Sequence, residues 1–123
     1  MTRINVVPVR ELSDKHLVAE YRELPRVFRL SYEWQQRGRP TAIPAEYTLG
    51  KGHVTFFYDK LRFLIKRHRQ LCREMRHRLF VVRFPDPPQF DHDDDLMKQY
   101  EPTPEALRIN RERINKRLNG DKS

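Results

Sequence analysis

Apolar residues recur along this chain at the spacing of amphipathic helices in three separate segments. The first segment follows Ser13 and Asp14, which supply helix N-cap chemistry, and continues for about 20 residues. Pro25 lies inside it and is expected to kink the helix, because proline removes a backbone donor. The apolar positions of this predicted helix are Leu17, Val18, Tyr21, Leu24 and Phe28.

The second segment has the clearest pattern and predicts a helix over about residues 53–78. Its apolar face runs from Val54 to Leu79 and includes His68 and Cys72. We interpret the basic residues of the other face as solvated, although a face with almost only positive charges also favours contact with phosphates. These basic residues are Arg62, Lys66, Arg67, Arg69, Arg73, Arg76 and Arg78, against Glu74.

The third predicted helix starts after Pro104 and carries Leu107, Ile109, Ile114 and Leu118 among its apolar positions. Proline-rich and glycine-rich loops separate the helices. In residues 1–12 apolar and polar side chains alternate loosely around Pro8, and this pattern predicts an extended arm packed on the body of the protein. The sequence therefore predicts an all-α fold, with three helices, two long loops and an N-terminal arm in a single domain over residues 1–123.

Composition narrows the class of partner. The chain has 123 residues and a formal net charge of +8. Such an excess indicates a polyanionic partner, because cationic side chains displace counterions from phosphate backbones. Cys72 is the single cysteine, so no disulfide forms within one chain, which fits a reducing compartment. No stretch is long and apolar enough to predict a membrane span.

The common catalytic motifs are missing. The chain has no G-x-S-x-G, H-E-x-x-H, C-x-x-C or P-loop sequence. The segment "DHDDD" (91–95) is a poor metal site, since neighbouring loop carboxylates point in different directions, and we expect no metal there. "LGKGH" (49–53) predicts either a phosphate-binding helix start or a tight turn.

The amino terminus offers a different nucleophile. Thr2 is small enough for removal of Met1, which would leave a free α-amine. From ordinary pKa values, about 14% of such an amine is neutral at pH 7, against about 0.04% of a lysine side chain. An amine that forms a Schiff base benefits from this difference.

A second candidate cluster lies in the first helix. Arg22 and Arg26 are one turn apart, and Glu23 is beside them. The cluster is either a surface ion-pair network or a carboxylate held among arginines that bind phosphates.

Three stretches resemble the phage-type pyrimidine dimer DNA glycosylase family. "MTRINVVPVRELSDKHLVAEYRELPRVF" resembles the start of that family, and "LGKGHVTFFYDKLRFLIKR" resembles its middle helix. "YEPTPEALRINRERINKRL" resembles its third helix more loosely. The resemblance implies a DNA glycosylase with AP lyase activity that acts on cyclobutane pyrimidine dimers in damaged double-stranded DNA without a metal or other cofactor.

The resemblance also assigns residues. It implies that Thr2 is the nucleophile and that Glu23 stabilises the Schiff base and assists proton transfer. His16 is a candidate positioning residue, and a structural histidine is the equal alternative. The residues expected to bind DNA are Arg3, Arg22, Arg26, Arg113 and Arg117.

The resemblance leaves the substrate range open. The family continues past the third helix into an aromatic, basic tail, whereas this sequence stops at Ser123. We therefore keep abasic sites and oxidised bases as alternative lesions, and a non-catalytic DNA-binding domain or an RNA-associated protein as alternative functions. We expect a monomer that is cytoplasmic and associated with the nucleoid.

Overall fold

The computed structural model describes residues 2–122 of the protein, with side chains described as far as Asn119. In this range the chain forms the α-helices α1 (Asp14–Glu23), α2 (Pro25–Gln36), α3 (Leu61–His77) and α4 (Pro104–Lys122). Short 3-10 turns lie at Val9–Glu11, Thr55–Phe57 and Asp94–Leu96. The residues so described contain no strand, and the all-α prediction is confirmed.

The first predicted helix is present as α1 and α2. The Ser13 hydroxyl accepts a hydrogen bond from the backbone N–H of His16 at 3.2 Å and so caps α1. Leu24 joins the two helices in a right-handed helical conformation, and Pro25 is the first residue of α2. Proline is tolerated at that position because its missing N–H would have no helical partner. The helix is therefore interrupted at the residue that the sequence indicated.

The middle helix starts later than predicted. The periodicity indicated about residue 53, whereas α3 begins at Leu61 after a 3-10 turn. The second long loop, between α3 and α4 (residues 78–103), pairs with the chain just before and within the start of α3. Lys98 N–H donates to the Asp59 carbonyl, and Phe63 N–H donates to the Lys98 carbonyl, both at 3.2 Å. This pairing holds Lys60 at φ −120°, outside the helical region. A tertiary contact therefore overrides the apolar periodicity of residues 53–60.

The core lies between the arm, α1, α2, α3 and one face of α4. Cys72 is buried there, as predicted, and burial raises the pKa of its thiol. The largest fully buried side chains include Phe56, Phe57, Ile4, Leu17, Leu24, Leu61, Leu64 and Leu71.

One basic residue of α3 is not where the sequence placed it. Arg67 was expected on the solvated face, but it is only 3% exposed. Its guanidinium binds the carboxylate of Glu20, which is 1% exposed, at 2.7 Å. The prediction for Arg67 is therefore wrong, because a buried acid on α1 supplies the partner that a buried guanidinium needs.

The two long loops are joined by ion pairs. Arg39 of the first long loop, between α2 and α3 (residues 37–60), bonds Asp93 at 2.9 Å and Asp95 at 2.7 Å in the second long loop. These aspartates remain more than half exposed. Between residues 2 and 122, no group of three His, Cys, Asp or Glu side chains is placed to hold a metal ion. In the same range, no helix has the length and apolar character needed to cross a membrane.

Candidate active site

The N-terminal arm is held by side chains rather than by a neighbouring strand. The arm was expected to be extended over residues 1–12, but it bends at Val7 and forms a 3-10 turn at Val9–Glu11. Its residues are buried from Ile4 to Val7, so their backbone groups need partners inside the protein. Three helices and the first long loop provide those partners. The site is built around the position that this arrangement gives to the first residues of the chain.

The first long loop holds Ile4 from two sides. The backbone N–H of Ile4 donates to His53 Nε2 at 2.9 Å, and the Tyr47 hydroxyl donates to the Ile4 carbonyl at 3.2 Å. His53 Nδ1 lies 2.8 Å from the Thr48 carbonyl, so Nδ1 carries the proton and Nε2 accepts. Burial lowers the pKa of His53 to about 4, which keeps the imidazole neutral at neutral pH.

A buried polar network holds the next part of the arm. Asn110 of α4 accepts from the N–H groups of Val6 and Val7 at 2.7 and 3.1 Å. The Asn110 amide donates to Asn5, and the Asn5 amide donates to Glu20, at 2.8 and 3.0 Å.

Arg67 closes this network. It donates to both carboxylate oxygens of Glu20 and to the Val7 carbonyl. The network thus ties the arm to α1, α3 and α4 at once.

Glu23 contacts the beginning of the arm. Its Oε2 accepts a hydrogen bond from the backbone N–H of Arg3 at 3.1 Å. The Thr2 nitrogen is three covalent bonds from the Arg3 nitrogen, which limits its distance from that oxygen to about 7 Å. Thr2 and Glu23 are therefore neighbours, although they are far apart in sequence.

A cationic cleft of about 230 Å³ opens beside this contact. Its walls come from the arm, the polar face of α1, and the middle and second half of α4. They are formed by Arg3, Asn5, Lys15, His16, Ala19, Glu20, Glu23, Arg113 and Arg117.

Three arginines of the cleft, Arg3, Arg113 and Arg117, are close enough to affect one another. Burial, together with the charges of Arg3 and Arg117, lowers the pKa of the Arg113 guanidinium. Such a group gains stability when an anion enters, because the anion relieves the mutual repulsion. The cleft is therefore suited to a phosphate-bearing ligand beside Glu23, since the other carboxylate of the cleft, Glu20, is paired with Arg67.

The structure separates the predicted site residues into two sets. Arg3, His16, Glu23, Arg113 and Arg117 line the cleft together, and Thr2 is next to it. Arg22 and Arg26 are exposed and do not line the cleft. They lie on α1 and α2, on the flank of the Glu23 position.

Sequence reasoning missed the residues that position the arm. Asn5 and Glu20 are polar residues inside apolar segments, and that pattern was the available signal for a buried network. Asn110 and His53 gave no such signal, because their partners are distant in sequence. Lys15 also lines the cleft and was not among the predicted residues.

A family comparison agrees with this geometry. Residues 1–87 match the family described as pyrimidine dimer DNA glycosylase. The match includes the arm, α1, α2, α3 and thus Thr2, Glu23 and the Glu20–Arg67 pair, but not α4. The chain belongs to the pyrimidine dimer DNA glycosylase family, and the cationic cleft beside Glu23 is the candidate active site of a DNA repair glycosylase.

Proposed function

We propose that the protein is both a glycosylase and an AP lyase, and that the Thr2 α-amine is the nucleophile for both reactions. The observation that carries the proposal is the bond from Arg3 N–H to Glu23, because it holds the start of the chain beside a carboxylate. The cationic walls of the same cleft would hold the damaged strand by its phosphates.

The first step is displacement of a base. After removal of Met1, the neutral Thr2 amine attacks C1′ of one nucleotide of a cyclobutane pyrimidine dimer. The glycosidic C1′–N bond breaks, and the base takes up a proton while it stays joined to its neighbour through the cyclobutane ring. Loss of a proton from nitrogen and opening of the sugar then give a Schiff base.

The second step cuts the strand. A proton leaves C2′ of the Schiff base, the C3′–O bond breaks, and the phosphate on the 3′ side departs. Water then hydrolyses the imine and restores the amine. In this proposal Glu23 stabilises the cationic imine and moves these protons. Arg3, Arg113 and Arg117 would bind the flanking phosphates, with Arg22 and Arg26 extending that contact and His16 helping to position the site.

Borohydride trapping tests the nucleophile. Protein lacking Met1, confirmed by mass, is mixed with a duplex that carries one cyclobutane dimer and with a duplex that carries one abasic site. We expect a covalent adduct with each duplex, mapped to Thr2, because borohydride reduces a Schiff base to a stable amine. The matched control is the same chain with Met1 retained, in which the Thr2 nitrogen is an amide.

The two duplexes separate the possible outcomes. An adduct on the abasic duplex alone would support the lyase and remove the dimer as substrate. An adduct that maps to a lysine, or equal adducts from protein that retains Met1, would overturn the role of Thr2. No adduct on either duplex would leave a DNA-binding protein without this chemistry.

Replacing Glu23 by glutamine tests the carboxylate. Glutamine keeps an oxygen that can accept from Arg3 N–H but cannot take up a proton in the same way. We expect Glu23→Gln to lower single-turnover incision by about 100-fold or more, while the Kd for a dimer duplex changes by less than about threefold. Glu46→Gln, at an exposed position, is the matched control. Normal incision by Glu23→Gln would refute the role of the carboxylate.

A further inference from the structure

A line of basic residues runs along the exposed face of α3. Its members recur at i, i+4, i+7, i+11 and i+14, which keeps them on one side of the helix over about 21 Å. All are exposed. This surface, the α3 stripe, consists of Arg62, Lys66, Arg69, Arg73 and Arg76.

The charge of the α3 stripe is not neutralised within the protein. Glu74 is the only carboxylate of α3, and it bonds Arg78 at 2.8 Å. Among the residues that the structure describes, no member of the stripe forms an ion pair within 4.0 Å. Three acids line grooves with stripe residues: Glu101 with Lys66, Asp86 with Arg69, and the already paired Glu74 with Arg73. Arg10 adds a cation to the groove beside Arg73.

The α3 stripe lies on a different side of the molecule from the cationic cleft. The opposite side of α3 packs on α1, where Arg67 binds Glu20 and His68 stacks on Tyr21 at 5.9 Å. Helical geometry places the stripe about 150° around α3 from the buried positions. No stripe residue lines the cleft. A straight duplex held in the cleft therefore cannot also lie along the stripe.

We propose that the α3 stripe binds the phosphate backbone of a second DNA duplex while the cleft holds the first. Each DNA strand carries one phosphate charge per about 3.4 Å of helix axis, so a stripe about 21 Å long matches about six base pairs. The exposed side chain of Gln70, which lies among the stripe residues, is polar. The exposed apolar residues of this region, Leu79 and Val81, follow the end of α3 and lie outside the stripe, so the stripe itself is suited to a phosphate backbone rather than to insertion into a lipid layer. A protein bound to DNA also meets neighbouring DNA segments at high local concentration.

Two DNA sites on one chain have a functional consequence. The protein could transfer from one duplex to another without passing through the free state, since the second duplex binds before the first departs. The contact is electrostatic, so it should be independent of sequence and of damage and should weaken steeply with salt.

Stoichiometry tests the second site. Sedimentation velocity is run on the full chain with an excess of undamaged duplex of about 14 base pairs, long enough for about six base pairs of contact, at low salt. We expect complexes of one protein with two duplexes for the unaltered chain. For K66Q/R69Q/R73Q we expect a Kd for the second duplex at least tenfold weaker and little change for the first. The control R37Q/K98Q/R108Q removes the same number of exposed cations elsewhere.

Three outcomes would overturn the proposal. One is a complex that stops at one duplex per chain for the unaltered protein. Another is a stripe variant that binds two duplexes as well as the control does. The third is stripe-dependent binding of vesicles that contain phosphatidylserine together with binding of only one duplex. The measurement needs no lesion and no turnover, so a failure of the proposed amine chemistry would not affect it.

Discussion

His53 fixes the protonation state in which the arm can dock. Its Nε2 accepts from Ile4 N–H only when that nitrogen carries no proton, and its surroundings oppose a second proton. Burial is the largest cause of the lowered pKa, and the charges of Arg3 and Arg113 act in the same direction. One neutral ring therefore holds the arm two residues from Thr2.

This arrangement predicts a loss of stability in acid. The folded pKa of His53 is about 4, against 6.5 for the ordinary side chain. Between these values the unfolded chain binds a proton that the folded protein does not, so the free energy of unfolding falls as pH is lowered from 6.5 to 4. The full contribution of His53 is about 3 kcal/mol.

Urea unfolding at a series of pH values measures this loss. His53→Gln, which can still accept from Ile4 and donate to Thr48, should flatten the fall between pH 6.5 and pH 4. His77→Gln, at an exposed position, should leave it unchanged. A pH profile of His53→Gln that is parallel to that of the unaltered protein would contradict the assignment.

At the scale of elements, α4 holds the arm through one side chain. Asn110 is fully buried and accepts from two successive backbone N–H groups of the arm. Among the described residues, the arm has no neighbouring strand whose backbone carbonyls could accept from these two amides, so the Asn110 side chain takes that role. The helix and the arm are thus joined although they lie at opposite ends of the chain.

Asn110→Ala should therefore weaken both the fold and the proposed chemistry. Leaving buried amides without acceptors should lower the free energy of unfolding by about 2–4 kcal/mol. Hydrogen exchange should accelerate at Val6 and Val7, and trapping by borohydride should slow more than lesion binding weakens. Asn115→Ala, at an exposed position of α4, is the control. Unchanged protection at Val6 and Val7 would contradict the role of Asn110.

The ion pair between α1 and α3 makes a related prediction. Arg67→Met would leave Glu20 as a buried charge without its cation, and we expect a loss of about 3–5 kcal/mol in stability. The double variant Glu20→Gln/Arg67→Met should lose less than the sum of the single losses, since it removes both charges. Denaturant unfolding of the four proteins measures the coupling. Additive losses would mean that the two side chains act independently.

At the scale of the whole molecule, positive charge is divided between two surfaces. The cleft carries Arg3, Arg113 and Arg117, and the α3 stripe carries its own cations on another side. A net charge of +8 gave no information on this division. The salt dependence of DNA binding can separate the two surfaces, because each phosphate contact adds to its slope.

Arg117→Ala should reduce that slope. We expect weaker binding of every duplex to the cleft and a decrease of about one unit in the slope of log K against log salt concentration. Arg108→Ala is the control, since Arg108 is already paired with Glu105 and Glu112 on the same helix. The slope is measured at a protein excess, where one duplex is bound per chain. An unchanged slope for Arg117→Ala would show that this side chain contacts no phosphate.

The sequence determined by itself those features that depend on local spacing. The apolar periodicity indicated the helices. Ser13 indicated the cap of α1, Pro25 indicated the interruption that follows α1, and Pro104 indicated the start of α4. These features follow from interactions within a few residues, which the order of residues specifies directly. Family resemblance singled out Thr2 and Glu23, and in the structure Glu23 lines the cleft and Thr2 is next to it.

Tertiary structure decided the features that depend on distant partners. The backbone pairing of Lys98 with Asp59 and Phe63 goes with a later start of α3 than predicted, and the ion pair with Glu20 buries Arg67. His53 and Asn110 fix the arm through contacts that span most of the chain. Each of these depends on which polar group meets another after the helices have packed, because a buried donor or acceptor is stable only beside its partner. The spacing of apolar residues in the sequence therefore specifies the helices, whereas the pairs of buried polar groups form only when the helices and the arm pack together.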